Sequence, residues 1–278
     1  MEIWIKILQL LNTSMETPSA YGWFHWMWLG IMVAASVLVA VRGKKMKENT
    51  VINIVLVTAI VTILLEIYKQ INYTFGDGSG TPSYAWYAFP WQFCSTPMYI
   101  GLLAGLIRKG KIHDALCCYL ASFAMFAGFA VMLYPNDVFI ETVGINIQTM
   151  ICHGGMVVVA VLLMASGHVP MKLRSLWKAV PVFVATLTIA VVLNEIAYRV
   201  GLLENHNFNM FYISPYLEGS LPVYSLVQKV VAYPWSLAIY VLGFTAAAGI
   251  MLAGARGVSY LLQRKRPAED PQKEQISA

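Results

Sequence analysis

The chain has 278 residues, of which 58% are hydrophobic and 12% charged, and its formal net charge is +5. Soluble domains carry about 25% charged residues, so half that density along the whole length argues against a soluble enzyme or a nucleic-acid binder and for a protein that crosses the membrane repeatedly. The Lys and Arg lie in short clusters between apolar runs, as loops obeying the positive-inside rule do, and all four cysteines (Cys94, Cys117, Cys118, Cys152) lie within apolar runs, which speaks against a disulfide framework.

In chain order, residues 1–22 form an outer segment without the basic stretch and small-residue cleavage site of a signal peptide. Within it, Met1–Leu11 is mildly amphipathic and suits a membrane surface. A crossing needs about 20 mostly apolar residues, and seven runs qualify. They are Phe24–Val41, Thr50–Tyr73, Phe89–Ile107, Ile112–Tyr134, Val143–Ser166, Trp177–Val200 and Pro234–Leu262. Trp23, Trp26 and Trp28 read as an interfacial belt at the start of the first. Loops after the first, third, fifth and seventh runs hold most of the Lys and Arg, which places the N-terminus outside and the C-terminus in the cytoplasm. The expected fold is all-α: residues 23–262 form a bundle of seven transmembrane helices with an outer loop at 201–233, and residues 263–278 form a disordered cytoplasmic tail. No internal repeat is visible. The chain reads as a multi-pass protein of the cell membrane.

Polar side chains within spans are expensive and mark cavities or pathways. Glu66, Lys69, Gln70 and Tyr73 fall at i, i+3, i+4 and i+7, one face of a helix. Asn146, Thr149 and His153 repeat the pattern in the fifth span. Gln92, Cys94, Ser95 and Thr96 open the third, and Asn194, Glu195, Tyr198 and Arg199 close the sixth. All lie in the outer halves of their spans, and the inner halves of the same helices hold almost nothing polar. A polar cavity open to the outside accounts for this asymmetry. The bland alternatives are a Glu66–Lys69 pair that neutralises itself and snorkels outward, amides acting as interhelical glue, and Cys117, Cys118 and Cys152 as small apolar fillers. Gly154 and Gly155 would admit a neighbouring helix, and Pro97 would kink the third span.

The stretch Phe89-Pro90-Trp91-Gln92-Phe93-Cys94 carries the candidate chemistry. A cysteine attacks as its thiolate and needs a base or a positive field. His153 supplies the base if it comes within reach, and Asn146, Gln148 or Asn194 would orient it or donate to an oxyanion. Cys94, near a helix start, would also benefit from the helix dipole. A substrate arriving from the outer leaflet fits an acyl lipid. No metal site is expected, because no second His or carboxylate stands at ligand spacing from His153, and no cofactor is expected either.

The Phe-Pro-Trp-Gln-Phe-Cys opening of the third span, the Gln148–Gly154 segment and Asn207-Phe208-Asn209-Met210-Phe211 resemble the bacterial YwaF-like family of integral membrane proteins over roughly residues 20–255. That family looks related to a eukaryotic transmembrane acyltransferase that moves fatty acyl chains between phospholipids through a cysteine. More distantly it is similar to transmembrane hydrolases of fatty-acid esters of hydroxy fatty acids. The resemblance implies Cys94 as the acyl-accepting cysteine and His153 as the histidine, with Glu66, Gln92, Asn146, Gln148, Asn194 and Asn209 as supporting groups. Gln92 stands where some relatives carry histidine, which puts more weight on His153. The loop 201–233 would then cover the cavity, with Leu221–Val231 lying along the surface. The rival reading is a non-catalytic membrane protein, a ligand sensor or transporter accessory, that binds its ligand in the same cavity.

Overall fold

The computed structural model describes residues 2–76, 80–135, 138–202 and 207–264, and among them every regular element is a helix, with one isolated β-bridge between Ser14 and Thr142. The longer helices are α1 (Glu2–Leu11), α2 (Trp23–Gly43), α3 (Glu48–Phe75), α4 (Thr96–Ile107), α5 (Gly110–Leu133), α6 (Val143–Ala165), α7 (Leu173–Arg199), α8 (Pro222–Val230) and α9 (Trp235–Arg264). Six of them, α2, α3, α5, α6, α7 and α9, are long and apolar enough to cross a membrane. The chain is a multi-pass membrane protein.

The third apolar run departs from expectation. It is not one helix over Phe89–Ile107: residues 89–95 coil through turns, and α4 begins only at Thr96. At 1.5 Å per residue its twelve residues reach about 18 Å, short of the roughly 30 Å of a hydrocarbon core. Proline explains the break. Pro97 sits in the first turn of α4, where its missing N–H is harmless, and it starts that helix instead of kinking it. The residue before a proline avoids helical geometry, and Phe89, before Pro90, is extended (φ −48°, ψ 135°), so the run cannot open as a helix. Such backbone survives at membrane depth only when packed inside protein, and these turns are: Trp91 donates from Nε1 to the Thr186 carbonyl at 3.1 Å, and the Phe93 ring meets Phe183, Phe211 and Phe244.

α5 and α6 are the central helices. In each, 72% of the apolar stretch is buried, against 17% in α2 and in α9 at the periphery. Phe123 stacks on Phe183 at 4.4 Å, and Tyr240 on Phe244 at 4.1 Å. Outward residues such as Val37, Leu64, Ile196 and Leu242 are exposed and make the lipid-facing surface. α5 contains one widened π turn, Leu120–Ala124, buried throughout. Glycine sets the α3–α4 distance: a Cβ on Gly105 would lie 2.6 Å from that of Leu56. Gly154 and Gly155, by contrast, have only ordinary contacts with their neighbours and do not create the tight approach expected of them. α1 docks on the end of α3, where Tyr68 donates to the Leu11 carbonyl at 2.7 Å and Asn72 Nδ2 donates to Asn12 Oδ1 at 3.2 Å. The expected tail lies, beyond Arg264, outside the described residues.

Candidate active site

A cavity of about 340 Å³ lies among α3, α4, α5 and α6. Its wall on α3 follows the helical repeat: Val55, Ala59, Thr62, Glu66, Lys69 and Tyr73 all line it. Across from them stand Gln148, Thr149, Cys152, His153 and Met156 of α6. Cys94 and Ser95 enter from the turn before α4, and Leu120 and Ala124, at the two ends of the π turn, also line it. A π turn is costly and tends to occur at functional sites. The structure therefore brings Glu66, Cys94, Gln148 and His153 to one cavity.

The state of His153 follows from its neighbours. Nδ1 lies 2.7 Å from the Thr149 carbonyl oxygen. A carbonyl only accepts, so Nδ1 carries the proton and Nε2 presents a lone pair. That Nε2 is buried and has no hydrogen-bond partner. Buried polar atoms are nearly always paired, and an exception calls for an explanation. Gly128 of α5 fixes the position from behind, because a Cβ there would lie 2.6 Å from the His153 carbonyl oxygen. His153 is thus oriented by a backbone carbonyl, not by the carboxamides expected to do so.

Cys94 sits two residues ahead of α4, just outside the helix rather than in its first turn. Lys69 and Glu66 are the charged groups that line the cavity together with Cys94 and His153. Lys69 Nζ lies 2.7 Å from Glu66 Oε1, and the same oxygen accepts from Gln70 Nε2 at 2.7 Å. The expected Glu66–Lys69 pair thus forms, but Lys69 does not snorkel out to solvent. It stays half-buried on the cavity wall. Gln148 donates one N–H of its amide to Cys152 Sγ at 3.5 Å, and its side chain lines the cavity.

The other amides expected in the site do something else. Asn194 grips the backbone of Met210 with both ends of its carboxamide, accepting from N at 2.7 Å and donating to O at 3.0 Å. Gln92 holds the next residues in the same way, donating to the Asn209 carbonyl at 3.0 Å and accepting from Phe211 N at 2.9 Å. Asn209 Oδ1 accepts from Ser214 N at 2.9 Å. Asn146 grips Ile140, accepting from its N at 2.9 Å and donating to its O at 2.7 Å. None of the four lines the cavity. Asn146 and Asn194 tie loops to helices, Gln92 ties the turns before α4 to the 207–214 loop, and Asn209 braces that loop internally; the loops so held deliver Ile140 and Tyr212 to the cavity wall. The reason is physical: a loop returning at membrane depth has backbone groups that water cannot reach, and a facing carboxamide satisfies a donor and an acceptor at once. The clamps also hold Phe211 and Tyr212 in left-handed backbone geometry (φ 58° and 57°), unusual for bulky residues.

Among the described residues of the loop 201–233, Tyr212 alone reaches the cavity, while α8 packs its Tyr224 against Tyr240 of α9. Glu195 and Arg199 pair at the surface, well away from the cavity. Cys152 and Tyr73 belong to the wall although composition alone marks Cys152 as filler. Its place beside His153, on the same helix, was the available signal.

The sequence model of the TMEM164 family matches residues 20–252, a span that contains every residue of the cavity. The chain belongs to the TMEM164 family. Among curated proteins and among solved structures, nothing matches it. This member of the family is an integral membrane protein whose cavity walls are formed by the segments within that match.

Proposed function

We propose that this TMEM164-family protein is a lipid acyltransferase or acyl-ester hydrolase of the cell membrane, with Cys94 as nucleophile and His153 as general base. In this reading Phe89–Ile107 makes a seventh crossing through its turn-plus-helix form, the N-terminus is outside and the cavity admits lipid from the outer leaflet. The observation that carries the reading is the unpartnered, lone-pair-bearing Nε2 of His153 in a cavity that Cys94 also lines. The resemblance of the Cys94 stretch to YwaF-like proteins, and through them to cysteine acyltransferases, points the same way.

The chemistry balances as follows. His153 Nε2 takes the Cys94 thiol proton, and Lys69 stabilises the thiolate that results. The sulfur attacks the ester carbonyl of a phospholipid, while the Gln148 amide donates to the developing oxyanion. The C–O bond breaks, and the lysolipid oxygen leaves with the proton held by His153. An acyl thioester remains on Cys94. A second lipid hydroxyl, or water, loses its proton to His153 and attacks the thioester carbonyl; the C–S bond breaks, the acyl group leaves as the new ester or free acid, and the sulfur takes the proton back from His153 to restore the Cys94 thiol.

The test uses the full-length protein in membranes with a phospholipid carrying a labelled acyl chain. Turnover and a hydroxylamine-sensitive acyl adduct on Cys94 are the expected results. Cys94→Ser abolishes both, and His153→Ala slows adduct formation by roughly 10²–10⁴, the usual contribution of a general base. Full turnover by Cys94→Ser would overturn the assignment. Lipid that binds in the cavity without any turnover or adduct would establish the sensor or accessory reading instead.

A further inference from the structure

A second group of chemistry-bearing side chains lies at the opposite end of the bundle, away from the cavity. His113 and Cys117 stand four residues apart on one face at the start of α5. His168 comes from the turn between α6 and α7, which is set by Gly167 at φ +79°. The His113 and His168 Nε2 atoms are 2.8 Å apart, and Cys117 Sγ is 3.5 Å from His113 Nε2. All three potential ligand atoms lie within 4.8 Å of one another. His113 and Cys117 are buried, and His168 is half-buried and borders the loop side.

The surroundings orient this group for coordination. His113 Nδ1 lies 2.9 Å from the Ala104 carbonyl oxygen, so Nδ1 carries the proton and the Nε2 lone pair faces His168 and Cys117. A ring N–H donated to a backbone carbonyl is the usual outer-shell support of a metal-bound histidine. The His168 loop is held by Val169 N donating to the Leu163 carbonyl at 2.9 Å and by Ser175 Oγ donating to the Pro170 carbonyl at 2.6 Å. The one nearby carboxylate on α5, Asp114, is paired with Lys178 at 2.8 Å and lies outside the group.

We propose that His113, Cys117 and His168 form a binding site for a single Zn²⁺ ion, tying the start of α5 to the α6–α7 turn. One thiolate and two imidazoles make a borderline-soft donor set suited to zinc, with the fourth position left to water from the loop side. Tetrahedral geometry with Zn–N near 2.0–2.1 Å and Zn–S near 2.3 Å sets N···N at about 3.4 Å and N···S at about 3.6 Å. The sulfur–nitrogen spacing already matches. The two nitrogens, now sharing the proton of His168, separate by about half an ångström as that proton moves to His168 Nδ1 and the ion takes its place. Cys117 releases its thiol proton to solvent on binding. The expectation of no metal site considers only the surroundings of His153. It overlooks the His113–Cys117 spacing, and it has no way to bring in His168, 55 residues further on.

The experiment uses the full chain in detergent, stripped with a chelator and then given Zn²⁺ or Co²⁺ alone. One equivalent of metal per chain is expected to survive desalting, with a rise in melting temperature on adding Zn²⁺ and, for Co²⁺, thiolate-to-cobalt charge-transfer absorption. Cys117→Ser and His168→Asn should lose the absorption and bind at least tenfold more weakly, consistent with the 10–100-fold that even outer-shell changes cost. Their metal-free melting temperatures, compared with that of the metal-free wild type, show that they fold. Cys94→Ser should keep the full equivalent, which separates this site from the cavity. A wild-type chain that retains no metal, or equal uptake by Cys117→Ser and His168→Asn, would overturn the proposal.

Discussion

The two ends of this bundle use the same residue types differently. At one end Cys94 and His153 border a cavity of about 340 Å³, and the buried Nε2 of His153 has no partner. At the other, His113, His168 and Cys117 face one another, and the two histidines satisfy each other through a 2.8 Å contact. Burial is common to both; the arrangement of partners is not. A buried histidine with both nitrogens engaged is a stable element that only a cation in place of a proton would alter. A buried histidine with one nitrogen oriented by a carbonyl and the other left without a partner keeps an unused acceptor, the group that the proposed mechanism needs. The contrast therefore turns on hydrogen-bond satisfaction, which no list of residue types contains.

The largest effect that would sharpen this contrast is complete loss of acyl turnover in Cys94→Ala, beside unchanged turnover in Cys117→Ala, measured with labelled phospholipid. Equal losses would break it. Next comes Lys69→Met, which removes the cation that lines the cavity with Cys94 and, in the proposed mechanism, stabilises its thiolate; adduct formation is expected to slow by roughly tenfold, the equivalent of about 1.4 kcal/mol, with the proposed zinc binding at the far end intact. Gly128→Ala pushes against the His153 carbonyl, and overpacking of this kind costs about 1–3 kcal/mol. It should lower the melting temperature and slow adduct formation although no reacting side chain is replaced. Asn194→Ala leaves the Met210 N–H and carbonyl unpaired, a loss of about 1–3 kcal/mol, visible as a lower melting temperature and faster proteolysis in the 207–214 loop. The smallest effect belongs to Arg199→Ala: its pair with Glu195 is exposed, and exposed pairs contribute little, so neither melting nor turnover should change measurably.

Much of the fold is legible because hydrocarbon tolerates few side chains. Apolar runs separated by charged loops identify helices α2, α3, α5, α6, α7 and α9 to within a few residues. The 3.6-residue repeat correctly puts Glu66, Lys69 and Tyr73 on one face, and that face lines the cavity. Other features leave no local trace. The π turn at Leu120–Ala124 has no sequence code, since the extra residue is accommodated by packing against α6, α7 and α9. The amides of Asn146 and Asn194 look identical to catalytic helpers until loops return to meet them. Whether Phe89–Ser95 continues a helix depends on the aromatic pocket that buries its turns as much as on its prolines.

The sequence by itself determined that this chain is a multi-pass, all-helical membrane protein, because transfer of side chains into hydrocarbon is a local, additive cost. It also singled out Cys94 and His153. Tertiary structure alone decided which polar groups share a cavity, which are engaged in holding loops, and which histidine nitrogen is left open. Those outcomes depend on contacts between segments tens of residues apart, and hydrogen bonding, unlike hydrophobicity, has no meaning until the partner's position is known.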